Sequence, residues 1–184
     1  MNVRNVPYEL QPLPPNADLR SVDLLEACID ARGAVGELQG YSSGLPNPLL
    51  LLSPAIIKES LASSQIENIH STVEAVLQNS LFPDSERKDP DKEVLRYHKA
   101  ILTGFRELDD IPLSSRLIEI VHSQLMSGKP AGFRKTQNYI RKSASGEIVY
   151  TPPIAADVPR LIAELESFIH SDVKIDPLVK AALV

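Results

Sequence analysis

No apolar run in this chain exceeds that of Leu49–Leu52. A helix needs roughly 20 consecutive apolar residues to cross a bilayer, so no membrane span is expected. The first residues, MNVRNVPYELQPLPP, lack the apolar core of a signal peptide. There is one cysteine, Cys28, which excludes an intramolecular disulfide framework and suits a reducing compartment. These absences together point to a cytoplasmic protein without a membrane partner. A basic excess is also missing. The formal net charge is −5, which argues against a dedicated nucleic-acid binder, because such a protein needs a basic face. The one basic cluster is Arg134, Lys135, Arg141 and Lys142. The phosphate-loop and dinucleotide-loop glycine patterns are absent, as is a nucleophile elbow. The histidines at 70, 98, 122 and 170 lack partners at ligand spacing, so no metal site is expected.

What is present is a series of helical patterns. Hydrophobic content of 43% and charged content of 23% are ordinary for a globular protein, and 184 residues are enough for a real core. Residues 1–20 carry several prolines and no periodicity, which predicts an extended surface arm. Val22, Leu25, Cys28, Ile29, Val35 and Leu38 then follow helical spacing, with Asp18 or Ser21 as the cap. Gly33 and Gly36 weaken the second half of that helix, which ends by Gly40 to Gly44. Cys28, among apolar neighbours, reads as an inert core thiol. A loop at Leu45–Pro48 leads into a second helix, with Pro54 near its first turn and Ile57, Leu61 and Ser64 on one face.

After Asn68 the pattern resumes at Ile69, Val73, Val76 and Leu77. Asn tolerates the left-handed region, so a bend or helix end is expected at Asn68. Phe82 to Glu93 reads as a solvated connector. Val94, His98, Ile101, Phe105 and Leu108 form the next helix face, with Leu95 and Leu102 beside them. Ser114 or Ser115 opens another helix, for which Gly128 is a natural stop. Tyr139-Ile140 and Ile148-Val149-Tyr150 are short β-prone segments around the turn Ser143–Glu147, which predicts a two-stranded hairpin. Asp157 is placed to cap a helix through Val158, Leu161, Leu165 and Phe168. Asp176-Pro177 starts a last helix, and its lack of a stop before Val184 suggests a truncated chain. The expected fold class is mainly α with one short β-hairpin.

The stretch Ser63-Ser64-Gln65-Ile66-Glu67-Asn68 has a purely local reading. Ser64-x-x-Glu67 fits a capping box, in which two side chains satisfy the first amides of a helix. Three segments in order support a different reading. The stretch above matches an inhibitory pattern: Ser or Thr, three residues, Glu, then Gly or Asn. Gly132–Ile140 is similar to the segment leading into a flap, and Val149-Tyr150-Thr151-Pro152-Pro153 to the flap's second strand and exit. With these the chain resembles the N-terminal part of a Fic-family protein, in the group whose inhibitory helix precedes the Fic core. The similarity runs from the arm to Val184.

The resemblance implies transfer of AMP from ATP to a hydroxyl side chain of a target protein, with Mg2+. It implies a division at residues 1–90, the arm and helices with the inhibitory motif, and 91–184, the first part of the Fic core. Ser63, Glu67 and Asn68 would be the inhibitory and nucleotide-site residues, with Glu67 pairing an arginine of the catalytic loop. Ile148, Val149 and Tyr150 would form the flap edge along which a target segment adds by main-chain hydrogen bonds. The family's catalytic loop is His-x-Phe-x-acid-Gly-Asn-Gly-Arg-x-x-Arg, and none of it occurs in these 184 residues. No catalytic residue and no metal ligand is therefore assigned here, and the chain alone is expected to be inactive. Two alternatives stay open: a non-catalytic helical protein-binding module, or a Fic protein that moves another phosphate-containing group or removes AMP. A homodimer is compatible with either.

Overall fold

The computed structural model describes residues 5–47, 49–66, 68–80, 89–126 and 132–184. Among these are seven α-helices, a 3-10 turn and one two-stranded antiparallel sheet. The backbone groups into two compact units. One comprises Met1–Cys28 with Gly132–Val184, the other Ile29–Ala131.

The unit Ile29–Ala131 is built around α4 (Asp89–Glu107), on which α2 (Leu49–Ile66), α3 (Val73–Ser80) and α5 (Ser115–Met126) pack. Its core cluster is Ile57 and Leu61 from α2, Val76 from α3 and Val94 from α4. Steps of three and four on each helix put these side chains on one stripe, which is the condition for burying them together. Val76 and Val94 are fully buried. The caps are read from hydrogen bonds. The Ser21 hydroxyl accepts from the amide of Leu24 at the start of α1 (Val22–Ser43). Thr72 accepts from Ala75 at the start of α3, and Ser114 from Leu117 at the start of α5. Each satisfies an amide that has no partner within its helix. Asp18 instead accepts from the backbone of Arg20. The Ser71 hydroxyl donates to the buried carboxylate of Asp91, joining the connector before α3 to the first turn of α4.

Several expectations need correction here. Helix α4 begins at Asp89, so residues 89–93 are helical and not connector; residues 81–88 lie outside the described residues. Phe105 and Leu108 are exposed, while Val94, Ala100 and Gly104 are buried, so the buried stripe passes through Gly104. Helix α1 forms through Gly33 and Gly36, but of its predicted apolar face Cys28 is the buried member, and Ile29, Val35 and Leu38 are exposed. Pro54 sits inside α2, past its first turn, because that helix starts at Leu49. The stop expected at Gly128 lies outside the described residues.

His98, on α4, has its pKa lowered from the ordinary 6.5 because burial disfavours the charged ring. Its folded pKa thus lies below its unfolded one. The neutral ring's contribution is complete above about pH 6.5 and declines as pH falls toward the folded value. Urea titrations at pH 7.5 and 5.5 should show lower stability at the acid end, and His98→Gln should reduce that difference.

In the other unit, β1 (Ile140–Arg141) pairs with β2 (Ile148–Tyr150), Ile140 facing Tyr150 and Arg141 facing Ile148, with an irregularity between. The turn is closed by the amide of Gly146 donating to Lys142 O and that of Lys142 to Glu147 O. Gly146 has φ +69°, a conformation that costs glycine least. A 3-10 turn at Ala155–Asp157 leads into α6 (Val158–Ile169), on which Phe168 is buried. Asp157 precedes α6 without a side-chain capping bond, contrary to expectation; its carboxylate lies 4.0 Å from Arg160. Asp176 does cap α7 (Pro177–Leu183), accepting from the amide of Leu178 at 2.9 Å. Lys180 of α7 donates to Ser171 O just beyond α6. Among the described residues no helix is long and apolar enough to cross a membrane.

Candidate functional site

The stretch Ser63–Asn68 closes a helix. The amide of Asn68 donates to Gln65 O at 3.0 Å, and that of Ile69 to Ser64 O at 3.1 Å. These two bonds, one spanning three residues and one spanning five, form a Schellman termination of α2. Asn68 takes the left-handed position with φ +60°. The capping-box reading of Ser64 and Glu67 is therefore replaced: Ser64 and Gln65 belong to the last turn of a helix, not the first. The bend expected at Asn68 is present, and its cause is the left-handed closure. A pattern that ends in Gly or Asn follows from the same geometry, because these two residues enter that region most readily.

Ser63 and Ser64 face different surroundings. The Ser63 hydroxyl donates to Glu59 Oε1 one turn back, at 3.1 Å, on the exposed side. Ser64 is buried. Both line a cavity of about 210 Å3 together with Ile69, Glu93, Tyr97 and His122. Glu93 and Tyr97 are one turn apart on α4, and Glu93 also pairs with Arg96 at 3.4 Å. The sequence alone does not place Glu93 and Tyr97 beside this stretch, because Glu93 reads there as part of a connector; the i, i+4 spacing shows only that the two share a helix face. Glu67 lies outside the described residues.

The left-handed residue gives a direct prediction. Asn68→Ala places a Cβ-bearing residue without a local hydrogen-bonding side chain at φ +60°. We expect a stability loss of about 1 kcal/mol, whereas Asn68→Gly should be neutral or slightly stabilising. Chemical denaturation of the three proteins checks this.

The hairpin residues Ile148, Val149 and Tyr150 lie in the other unit, and its exit is held from the segment before β1. The Gln137 side chain donates to Pro152 O at 3.1 Å and accepts from the amide of Ala155 at 3.2 Å. The Arg134 guanidinium donates to Pro153 O. Proline has no amide proton but keeps its carbonyl acceptor, and here both carbonyls are taken by side chains. The N-terminal arm adds a third contact. The amide of Tyr8 donates to Thr151 O at 2.9 Å, and the Tyr8 and Tyr150 rings lie 6.0 Å apart. Sequence reasoning did not single out Tyr8, Arg134 or Gln137 for these roles; nothing in their spacing reveals a contact across more than a hundred residues or the geometry of a Pro-Pro exit. Much of the basic cluster is spent locally. Lys142 pairs with Glu147 at 2.8 Å, and Arg141 donates to Gly146 O while lying over the Tyr139 ring.

Among the described residues no three His, Cys, Asp or Glu side chains are grouped to hold a metal ion. No step is assigned to Mg2+ here. Residues 25–106 match the family model described as Fic/DOC family N-terminal. This stretch is similar to the N-terminal region of Fic/DOC-family proteins. It runs from α1 to the last turn of α4 and includes Ser63–Asn68; the hairpin lies outside it.

Proposed function

We propose, with a Fic/DOC-family N-terminal region as the premise, that these residues form the regulatory and target-docking part of an autoinhibited protein adenylyltransferase. The observation that carries this reading is the termination of α2. The matched region contains the Ser-x-x-x-Glu-Asn pattern, and its Asn68 ends the helix in the left-handed conformation. Glu67, the residue before Asn68 in the sequence, is proposed to pair with an arginine of the family's catalytic loop and to exclude the γ-phosphate from its productive position. In the hairpin unit, Ile148–Tyr150 offer a strand edge with a braced exit for an extended target segment.

In the proposed reaction the target hydroxyl oxygen forms a bond to the α-phosphorus of ATP. The bond to the bridging oxygen breaks, pyrophosphate leaves with the electron pair, and a base accepts the hydroxyl proton. The family's base and phosphate-binding residues belong to the loop that is not among these 184 residues. No residue described here is assigned a catalytic step. The hairpin edge, which needs no nucleotide, supports a second reading, a helical binding module without transfer.

One assay separates these readings. The intact natural gene product is incubated with ATP labelled at the α- or the γ-phosphate. Protein-bound label from the α position alone is the expected result. Label from the γ position would replace adenylyl transfer with phosphoryl transfer, and no label from either would favour the binding module.

A further inference from the structure

We infer that Val6–Glu9 is a built-in competitor for the edge of β2, the segment that a docking strand has to displace. This rests on the proposed reading of the hairpin as a docking edge, and it concerns regulation of that edge. Three observations carry it. First, the arm already makes the kind of contact an added strand would make. The Tyr8 amide takes the carbonyl of Thr151, immediately after the last residue of β2, and the Tyr8 ring lies beside the Tyr150 ring. Val6–Glu9 and Val149–Thr151 line one groove of about 410 Å3.

Second, the contact is light. Tyr8 is 50% exposed and Val6 and Leu10 are similarly open. Pro7 has no amide proton, so the arm cannot extend a regular ladder along the strand. Third, the arm is tethered nearby while the edge is held independently. Leu10–Pro14 line a cavity of about 640 Å3 with Leu161, Leu165 and Phe168, and Arg20 donates to Lys174 O at 2.6 Å. A tethered segment acts at a high effective concentration, so a weak contact competes well with a free partner. The exit of β2 is fixed by Arg134 and Gln137, so the edge keeps its shape when the arm leaves. The partner this edge fits is an extended segment that donates a backbone amide to Thr151 O and lays an aromatic side chain against Tyr150.

The test uses the 184-residue chain, labelled for amide NMR, and a capped peptide copying residues 5–11 as the probe. Tyr8→Pro removes the amide that reaches Thr151 and should release the edge. We expect the peptide to shift the amide resonances of Val149, Tyr150 and Thr151 at concentrations about tenfold lower in Tyr8→Pro than in the native chain, the scale of one net hydrogen bond. Equal concentrations for both proteins, or shifts confined to other residues, would overturn the inference. Unchanged resonances on α6 report that the variant is folded. Where they move, Tyr8→Ala carries the comparison, with a reduction of about threefold expected and no reduction overturning the idea. The measurement involves no nucleotide. Its failure leaves the labelling assay standing, and failure of the labelling assay leaves this competition measurable.

Discussion

Val94→Asp should leave the unit Ile29–Ala131 without a cooperative fold. Val94 is fully buried among Ile57, Leu61 and Val76, with Leu95 and Val73 packed against the cluster. A carboxylate placed there has no partner among these apolar neighbours. An unpaired buried charge costs several kcal/mol, against a total stability of about 5–15 kcal/mol for a typical domain. The deletion Val94→Ala separates charge from packing. It removes two methyl groups and leaves a cavity, for about 2 kcal/mol. The expected result is a folded but weakened Val94→Ala protein and a Val94→Asp protein whose α-helical signal melts without a sharp transition. Circular dichroism during thermal unfolding reads both.

The second large effect comes from Gly104. A Cβ built there would lie 2.8 Å from Val121 Cγ2, closer than such atoms approach. Helices α4 and α5 pack through this point, and Val121 is β-branched and stiff at χ1. Gly104→Leu should therefore cost about 3 kcal/mol or more by forcing the helices apart. Gly104→Ala is a finer probe. Its strain of about 1–3 kcal/mol is offset by roughly 1 kcal/mol of helix propensity. Val121→Ala in the same chain should relieve the strain, so the pair is less destabilised than the sum of the single changes. Strict additivity in urea titrations would mean that the two residues do not touch.

The existence of the helices is legible in the sequence, and their packing is less so. Mainly α with one hairpin was legible because 3.6-residue spacing and the Ser143–Glu147 turn are local signals. Ser114 and Asp176 were legible as caps for the same reason. What failed depended on neighbours. Gly104, which the spacing of apolar residues passes over, is the place where α5 comes close. Phe105, the larger residue beside it, is exposed. Ser64 fits the first residue of a helix because the capping-box pattern is short and also occurs where no helix begins. The two backbone bonds from Asn68 and Ile69 reverse that assignment. The contact of Tyr8 with Thr151 joins positions far apart in sequence, where no periodicity carries information.

The reversal strengthens one functional reading. A capping-box glutamate has its carboxylate engaged by its own helix, whereas a residue beside a Schellman closure does not need that role. On the proposed function, Asn68 has a conformational job and Glu67 an electrostatic one, and the two are separable by mutation. Asn68→Gly should therefore keep the inhibition that Glu67→Gly removes.

The most direct measurement compares α-labelled ATP incorporation by the intact natural gene product with that by its Glu67→Gly variant. The account predicts weak labelling of the native protein and at least about tenfold more in the variant, the effect of removing one charge-assisted contact. Equal labelling of the two proteins would contradict an inhibitory role for Glu67.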